Sequence, residues 1–313
     1  MKILVTGASG FLGRNIVPYL RSLRGLEVFP MSSEVYDLRD SYACKKMIEH
    51  VQPNVIVHAA GSVGGIQANK ENPGKFMYEN LAMGMNMIER SRQYRDKYSV
   101  DEFKFIMLGT VCAYPKFTPV PFKEKELWNG YPEETNAPYG IAKKTLMKLG
   151  ETYHEQYGMN ITNLIPVNMY GPHDHFNLTS SHVIPALILK FHQAIERGSR
   201  QVKIWGTGEA SREFLYAPDC VQAIVDAILS TNNCPLPINI GTGDEIKIKD
   251  LVKAISREMG YTGFIAFDHS KPDGQPRRCL DTTRAINRIG FRATTDLETG
   301  LGHTIKWFKG EKE

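Results

Sequence analysis

Tyr139 and Lys143 stand four residues apart in the run Asn136-Ala137-Pro138-Tyr139-Gly140-Ile141-Ala142-Lys143. On a helix that spacing puts both side chains on one face, and Pro138 suits a first helical turn. A free tyrosine ionises near pH ~10, and an adjacent ammonium favours the phenolate, which brings the phenol toward the range useful for proton transfer. Tyr139 is thus a candidate acid and Lys143 its tuner. Such a pair is more often an exposed helix pair, and its weight here comes from a third group. Thr110 closes the apolar run 103–108 at the carboxyl edge of a sheet, where open α/β folds bind their ligands. Cys112 follows two residues later. In extended chain, residues i and i+2 point the same way, so Thr110 and Cys112 are expected to face one pocket; an inert buried thiol is the other reading.

A second constellation lies at the N-terminus. The apolar run 2–6 leads straight into Gly7-Ala8-Ser9-Gly10-Phe11-Leu12-Gly13 and then a helical pattern. Glycines at this spacing let the chain turn tightly, approach a pyrophosphate and pack helix against sheet, while the helix N-terminus receives the phosphates. Gly7, Ser9, Gly10, Phe11, Leu12 and Gly13 are the dinucleotide-binding candidates. An NAD-specific site carries a carboxylate at the end of the second strand. Here the stretch reads Phe29-Pro30-Met31-Ser32-Ser33, with Glu34 slightly late, and Ser32, Ser33 and Arg14 can donate to a 2′-phosphate, which favours NADP(H). Asp37-Leu38-Arg39-Asp40 follows; Asp40 either lines the adenine or caps the next helix. His173-Asp174-His175 has metal-ligand spacing but no evident further ligand, so no metal is expected.

These groups need a scaffold. Short β-rich runs at 2–6, 26–31, 55–59, 103–108 and 161–166 alternate with helical stretches, the pattern of a doubly wound, Rossmann-like parallel sheet in the α/β class. Beyond about residue 170 the chain is richer in Gly, Pro and loops. Strands are expected at 202–205, 238–240 and 264–267, with helices near 183–197, 220–229 and 248–259. The expected division is a dinucleotide-binding domain at 1–170 and a smaller substrate lobe at 171–313, with later segments free to return to the first.

Taken together, these residues resemble the extended short-chain dehydrogenase/reductases, and within them the branch that epimerises and reduces GDP-linked keto-deoxy sugars. The resemblance spans nearly the full length. It rests on Gly7 to Gly13, Val63-Gly64-Gly65-Ile66 with Ala68-Asn69, Cys112-x-Tyr114-Pro115-Lys116, Tyr139-x-x-x-Lys143, and Asn168-x-Tyr170-Gly171-Pro172-His173-Asp174. Ser181-His182-Val183-Ile184-Pro185-Ala186-Leu187, Trp205-Gly206-x-Gly208, Arg212-Glu213-Phe214 and Ser270-Lys271-Pro272-Asp273-Gly274 complete it. It implies that Thr110, Tyr139 and Lys143 serve a C4 reduction and that Cys112 and His182 are the acid/base pair of an epimerisation. It further implies Ala60, Leu108, Lys143, Pro166, Asn168, Met169 and His182 around the cofactor. Asn168, His182, Lys190, Trp205, Arg212 and Asp273 would line the GDP-sugar site. Two positions depart from the pattern: Thr110 replaces a frequent serine, and Lys190 stands where arginine can occur, giving up bidentate phosphate geometry. Both leave room for a related sugar. The resemblance also implies a homodimer. His182 follows Ser180 and Ser181, an expected capped helix start whose macrodipole favours the neutral imidazole.

The whole chain is compatible with this reading. At 313 residues it is long enough for one large α/β unit with an appended lobe. A formal charge of +4 is too mild and too evenly spread for nucleic acid, yet suits an anionic substrate. The N-terminal apolar run is too short for a signal peptide and no segment approaches a membrane span, so a cytoplasmic, membrane-free protein is expected. Five cysteines with no Cys-x-x-Cys pair suggest reduced thiols. A non-catalytic NADP(H)-binding sensor is the competing class, and binding alone requires no such set of acid/base residues.

Overall fold

Apolar runs with no polar face set the first half of the chain. The computed structural model describes residues 1–178, 180–271 and 273–310, with only the backbone of 66 and 67. In chain order come β1 (Lys2–Thr6), α1 (Phe11–Ser22), β2 (Glu27–Met31), α2 (Ser41–Val51) and β3 (Val55–His58). Next are α3 (Ile66–Glu71), α4 (Pro73–Tyr98), β4 (Lys104–Leu108), α5 (Ala137–Tyr157) and β5 (Ile161–Pro166). β3 and β5 are buried along their whole length, as parallel strands covered on both faces must be. The helices present one apolar stripe each; that of α1 is Leu12, Ile16, Val17 and Leu20.

The second half supplies β6 (Asn168–Tyr170), α6 (Val183–Glu196), β7 (Gln201–Trp205), β8 (Ser211–Tyr216) and α7 (Ala217–Leu229). It ends with β9 (Ile238–Ile240), β10 (Glu245–Lys247), α8 (Ile248–Met259), β11 (Phe264–Asp268), α9 (Thr283–Ile289) and α10 (Leu297–Lys309). The large sheet has the order β2-β1-β3-β4-β5-β9 with every pairing parallel. This is the expected doubly wound fold. Its strand order reverses between β1 and β3, and the carboxyl ends flanking that reversal are where such sheets hold ligands.

The segment 238–240, expected as a strand beyond residue 170, returns to this sheet and pairs Leu164 with Ile238. α7 returns with it, burying Cys220, Val221 and Ile224 in the first core. A second core, built on Ile188, Phe191, Leu251, Ile255 and Leu301, belongs to the appended lobe. That lobe carries a three-stranded sheet, β10-β8-β6, and the parallel pair β11-β7. β6, β8 and β10 had no clear sequence signal, because they are short and carry polar residues such as Ser211, Arg212 and Glu213.

Candidate active site

The glycine turn forms one wall of a cleft of about 340 Å³ at the β1/β3 reversal. Gly7 sits at φ +68°, and a Cβ there would meet the Ala60 backbone at 2.7 Å. A Cβ on Gly13 would run into the Gly7 carbonyl, so glycine at both positions lets the loop, α1 and β3 close on one another. Gly10 caps α1 without a side-chain hydrogen bond, leaving the first helical turn open to a phosphate. Gly7, Ser9, Gly10, Ser32 and Ala60 line the cleft, while Phe11, Leu12 and Gly13 open the helix beside it.

Two expectations change here. Asp40 accepts from the Tyr42 amide at 2.8 Å and caps α2, whereas Asp37 lines the cleft in its place. Asp37 is paired with Arg39 at 2.7 Å, and Arg39 also reaches Glu79 at 2.8 Å. Arg14 turns back to donate to the Ser9 carbonyl at 2.9 Å.

Beyond β4 the chain makes a 3₁₀ turn over Val111–Ala113, capped by Thr110, whose hydroxyl accepts from the Cys112 amide at 3.2 Å. Thr110 and Cys112 do come together, but through this cap and not through the extended chain expected. α5 brings Tyr139 to the same turn, with Pro138 in the first helical turn as expected. The Thr110 hydroxyl stands near the Tyr139 phenol. Burial pushes that phenol well above its usual range, Cys112 adds in the same direction, and Thr110 opposes.

The Lys143 ammonium donates to the Leu108 carbonyl at 3.0 Å, and burial pushes Lys143 itself down to about 8. Both groups have been taken out of water, and burial is the largest cause of the shift in each.

His182 forms the N-cap residue of α6 and is exposed at the surface. The expected serine cap is absent: the Ser181 hydroxyl donates to Asn177 O, and Ser180 Oγ meets His175 Nε2 at 2.9 Å. Enclosing walls hold the His182 imidazole below its usual range, followed by the nearby Arg278 and His175. Arg278 is also the link to the thiol, with Nη1 3.7 Å from Cys112 Sγ. Cys112, one of the two residues assigned to proton transfer, therefore faces a guanidinium.

The remaining polar candidates continue outward from Arg278. Arg212 is pushed down to about 10 by burial and then by Arg278, with Asp273 opposing; its Nη2 lies 3.4 Å from Asp273 O. The Asp273 carboxylate accepts from the Thr207 amide and hydroxyl, both at 2.7 Å, next to the exposed Trp205 at the end of β7. Lys190 donates to the Lys203 carbonyl of β7 at 2.9 Å. Asn168 donates to Glu213 O at 3.0 Å, and Met169 lies beside it on β6, beyond Pro166 at the end of β5. Asp273 thus links Arg212 on β8 to the Thr207 turn beyond Trp205. His173 and His175 are engaged elsewhere, His173 against the Trp307 ring at 4.9 Å.

Residues 3–241 match the model of a family described as NAD dependent epimerase/dehydratase. The chain belongs to that family. It is 40% identical over 307 residues to a GDP-L-fucose synthase of Sinorhizobium fredii, covering 98% of this chain and 95% of the relative. It is 39% identical over 313 residues to a GDP-L-colitose synthase of Yersinia pseudotuberculosis, covering 100% and 99%. The structure of a GDP-L-fucose synthetase from Naegleria fowleri bound to NADP superimposes with a TM-score of 0.87 at 27% identity, covering 99% and 94%.

Spacing did not single out every polar residue near the candidate site. Arg278 reaches Cys112, and Gln275 reaches Arg278, from a loop far along the chain. Arg39 enters the cleft from the turn before α2 and Glu79 from α4. The pair Arg277-Arg278, just past Asp273-Gly274, was the only local signal for the first of these.

Proposed function

We propose that this protein converts GDP-4-keto-6-deoxymannose to GDP-L-fucose by epimerising C3 and C5 and reducing C4 with NADPH. The observation that carries this reading is the shared corner: the Thr110–Tyr139 pair stands at the turn that carries Cys112, which Thr110 caps and α5 meets at Gly140, and Arg278 Nη1 lies 3.7 Å from Cys112 Sγ. A plain reductase needs only the first pair. The C4 ketone acidifies the hydrogens on C3 and C5, so Cys112 and His182 act as the base and acid that remove and return them. Thr110 then hydrogen-bonds the C4 oxygen and Tyr139 protonates it, a role suited to a phenol that burial keeps protonated. Bound NADPH supplies hydride to C4. Lys143 anchors the corner through Leu108 O, and Arg212 and Lys190 provide charge for the diphosphate, with Trp205 as a stacking face. NADP(H) is favoured over NAD(H) because β2 ends in Ser32-Ser33 and the carboxylate of Asp37 is engaged by Arg39.

Among the described residues no helix is long and apolar enough to cross a membrane. We assign the protein to the cytoplasm as a homodimer, with Tyr78 and Met85, one face of α4 and 65% and 45% exposed, on the contact surface. Fractionation and light scattering test those two assignments. The similarity to a colitose synthase favours a second reading, in which a 3,6-dideoxy keto sugar is inverted at C5 alone.

Turnover in D₂O with NADPH or NADH, with the product read by NMR, separates the possibilities. Fucose synthesis places solvent deuterium at both C3 and C5, the dideoxy reaction selects its own substrate and inverts only C5, and direct C4 reduction labels neither carbon. An enzyme that binds the 6-deoxy sugar without consuming NADPH sinks the proposal.

A further inference from the structure

Arg278 differs from its neighbour in what neutralises it. Arg277 pairs with Glu245, whereas among the described residues no carboxylate lies in ion-pair range of Arg278. Its fork is occupied by a neutral amide: Gln275 Oε1 accepts from Arg278 Nε at 3.2 Å and from Nη2 at 3.0 Å. The other end of the same carboxamide donates to Lys116 O at 2.8 Å. Gln275 is buried, and both ends are committed, so its orientation is forced; turned over, it would oppose donor to donor and oxygen to oxygen. The one free arm of the guanidinium, Nη1, is left facing Cys112 Sγ at 3.7 Å.

We propose that Gln275 is a positioning residue for carbon proton transfer: it ties the 275–278 loop to the turn beyond Cys112 and aims an unneutralised Arg278 charge at the sulfur. The inference rests on the epimerase role given to Cys112. There the thiolate takes a proton from the carbon beside the ketone, an S–H bond forming as the C–H bond breaks, and the electron pair passes into the ketone as an enolate. A cation beside the sulfur stabilises the thiolate that must do this. Among the described residues Arg278 is the charged group in contact with the Cys112 sulfur. An amide suits the task because glutamate, its isostere, would neutralise Arg278 and give up the donor to Lys116 O.

The test uses full-length protein and two readouts. Cys112 is the one partly exposed thiol of the five, so iodoacetamide alkylation, located by peptide mass spectrometry, reports its reactivity with no sugar present. Solvent deuterium exchange at C5 of GDP-4-keto-6-deoxymannose reports the chemistry. Gln275→Glu and the uncharged isostere Gln275→Met are expected to slow both at pH 7 by about tenfold, with NADPH affinity near wild type and the fold retained by circular dichroism. Arg278→Met should do the same, and adding Gln275→Met to it should slow neither further, since the amide acts through the guanidinium. Should either folded Gln275 variant alkylate and exchange at the wild-type rate, or should the double variant lose the two effects additively, the positioning role is overturned. If alkylation slows as expected but the wild-type enzyme exchanges no hydrogen into any GDP-keto sugar, the positioning stands and the epimerase reading falls.

Discussion

Tyr139→Phe removes the phenol that meets Thr110 while keeping the ring that fills a buried site. The change deletes a proton donor and little else, so NADPH consumption should fall by roughly 10²- to 10⁴-fold with NADPH affinity retained. Stopped-flow rates and a fluorescence titration check the two halves, and a parallel loss of cofactor binding would assign Tyr139 to the cleft instead of the chemistry. Lys143 gives a pH signature. Burial has brought it down to about 8, so its positive charge, and with it the kcat/KM of reduction, should decline as pH rises through about 8. Stability should move the other way. Between about 8 and the ordinary value of 10.5 the unfolded chain holds more protons on this lysine than the folded one, so its contribution to stability grows as pH rises across that window. Lys143→Met should abolish both trends; persistence of the activity limb would put the titrating group elsewhere.

At the scale of elements, the site depends on how closely α5 approaches the turn that carries Cys112. Gly140 sits between Tyr139 and the next helical turn, and a Cβ there would collide with the Cys112 carbonyl. Gly140→Ala must therefore push α5 away from that turn, at a cost of about 1–3 kcal/mol from overpacking. A shift approaching 1 Å between Tyr139 and Thr110 costs on the order of 10²-fold in rate. Reduction and C3/C5 exchange should fall together while the glycine-turn cleft still binds NADPH; an unchanged rate for both would mean that the turn yields freely.

The same packing shows what sequence could convey. The glycine turn, the Tyr-Lys helix and the Thr110 edge were legible because each is set by spacing within one or two elements. The meeting of Cys112 with Arg278 spans 166 positions and follows from the fold of the whole chain, as does the return of β9 to the large sheet. Asp40 was ambiguous because one carboxylate beside a helix start serves equally as cap or ligand, and only the position of Asp37 in the cleft resolved it.

For the whole molecule, the question is what ties the appended lobe to the large sheet. Glu213 lies on β8 of the appended lobe and is fully buried. One of its oxygens accepts from the amides of Thr242 at 2.6 Å and Gly243 at 2.9 Å, just beyond β9 of the large sheet. The other accepts from the Leu280 amide at 2.6 Å. A single carboxylate thus gathers three segments from both lobes, while its neighbour Arg212 is directed toward Asp273. Both of its oxygens must accept, so Glu213→Gln, which has the same shape, has to set an NH₂ group against at least one N–H. Leaving such a buried donor unmatched costs about 1–3 kcal/mol. Calorimetry should show a Tm lower by several degrees, and the effect should extend to function through Arg212: KM for the GDP-sugar should rise while the affinity for NADPH, held by the β1 turn, stays near wild type. Equal weakening of both ligands would mean that the clamp supports the large sheet itself, and no change in either would mean that β6, β8 and the second core set the lobe spacing without it.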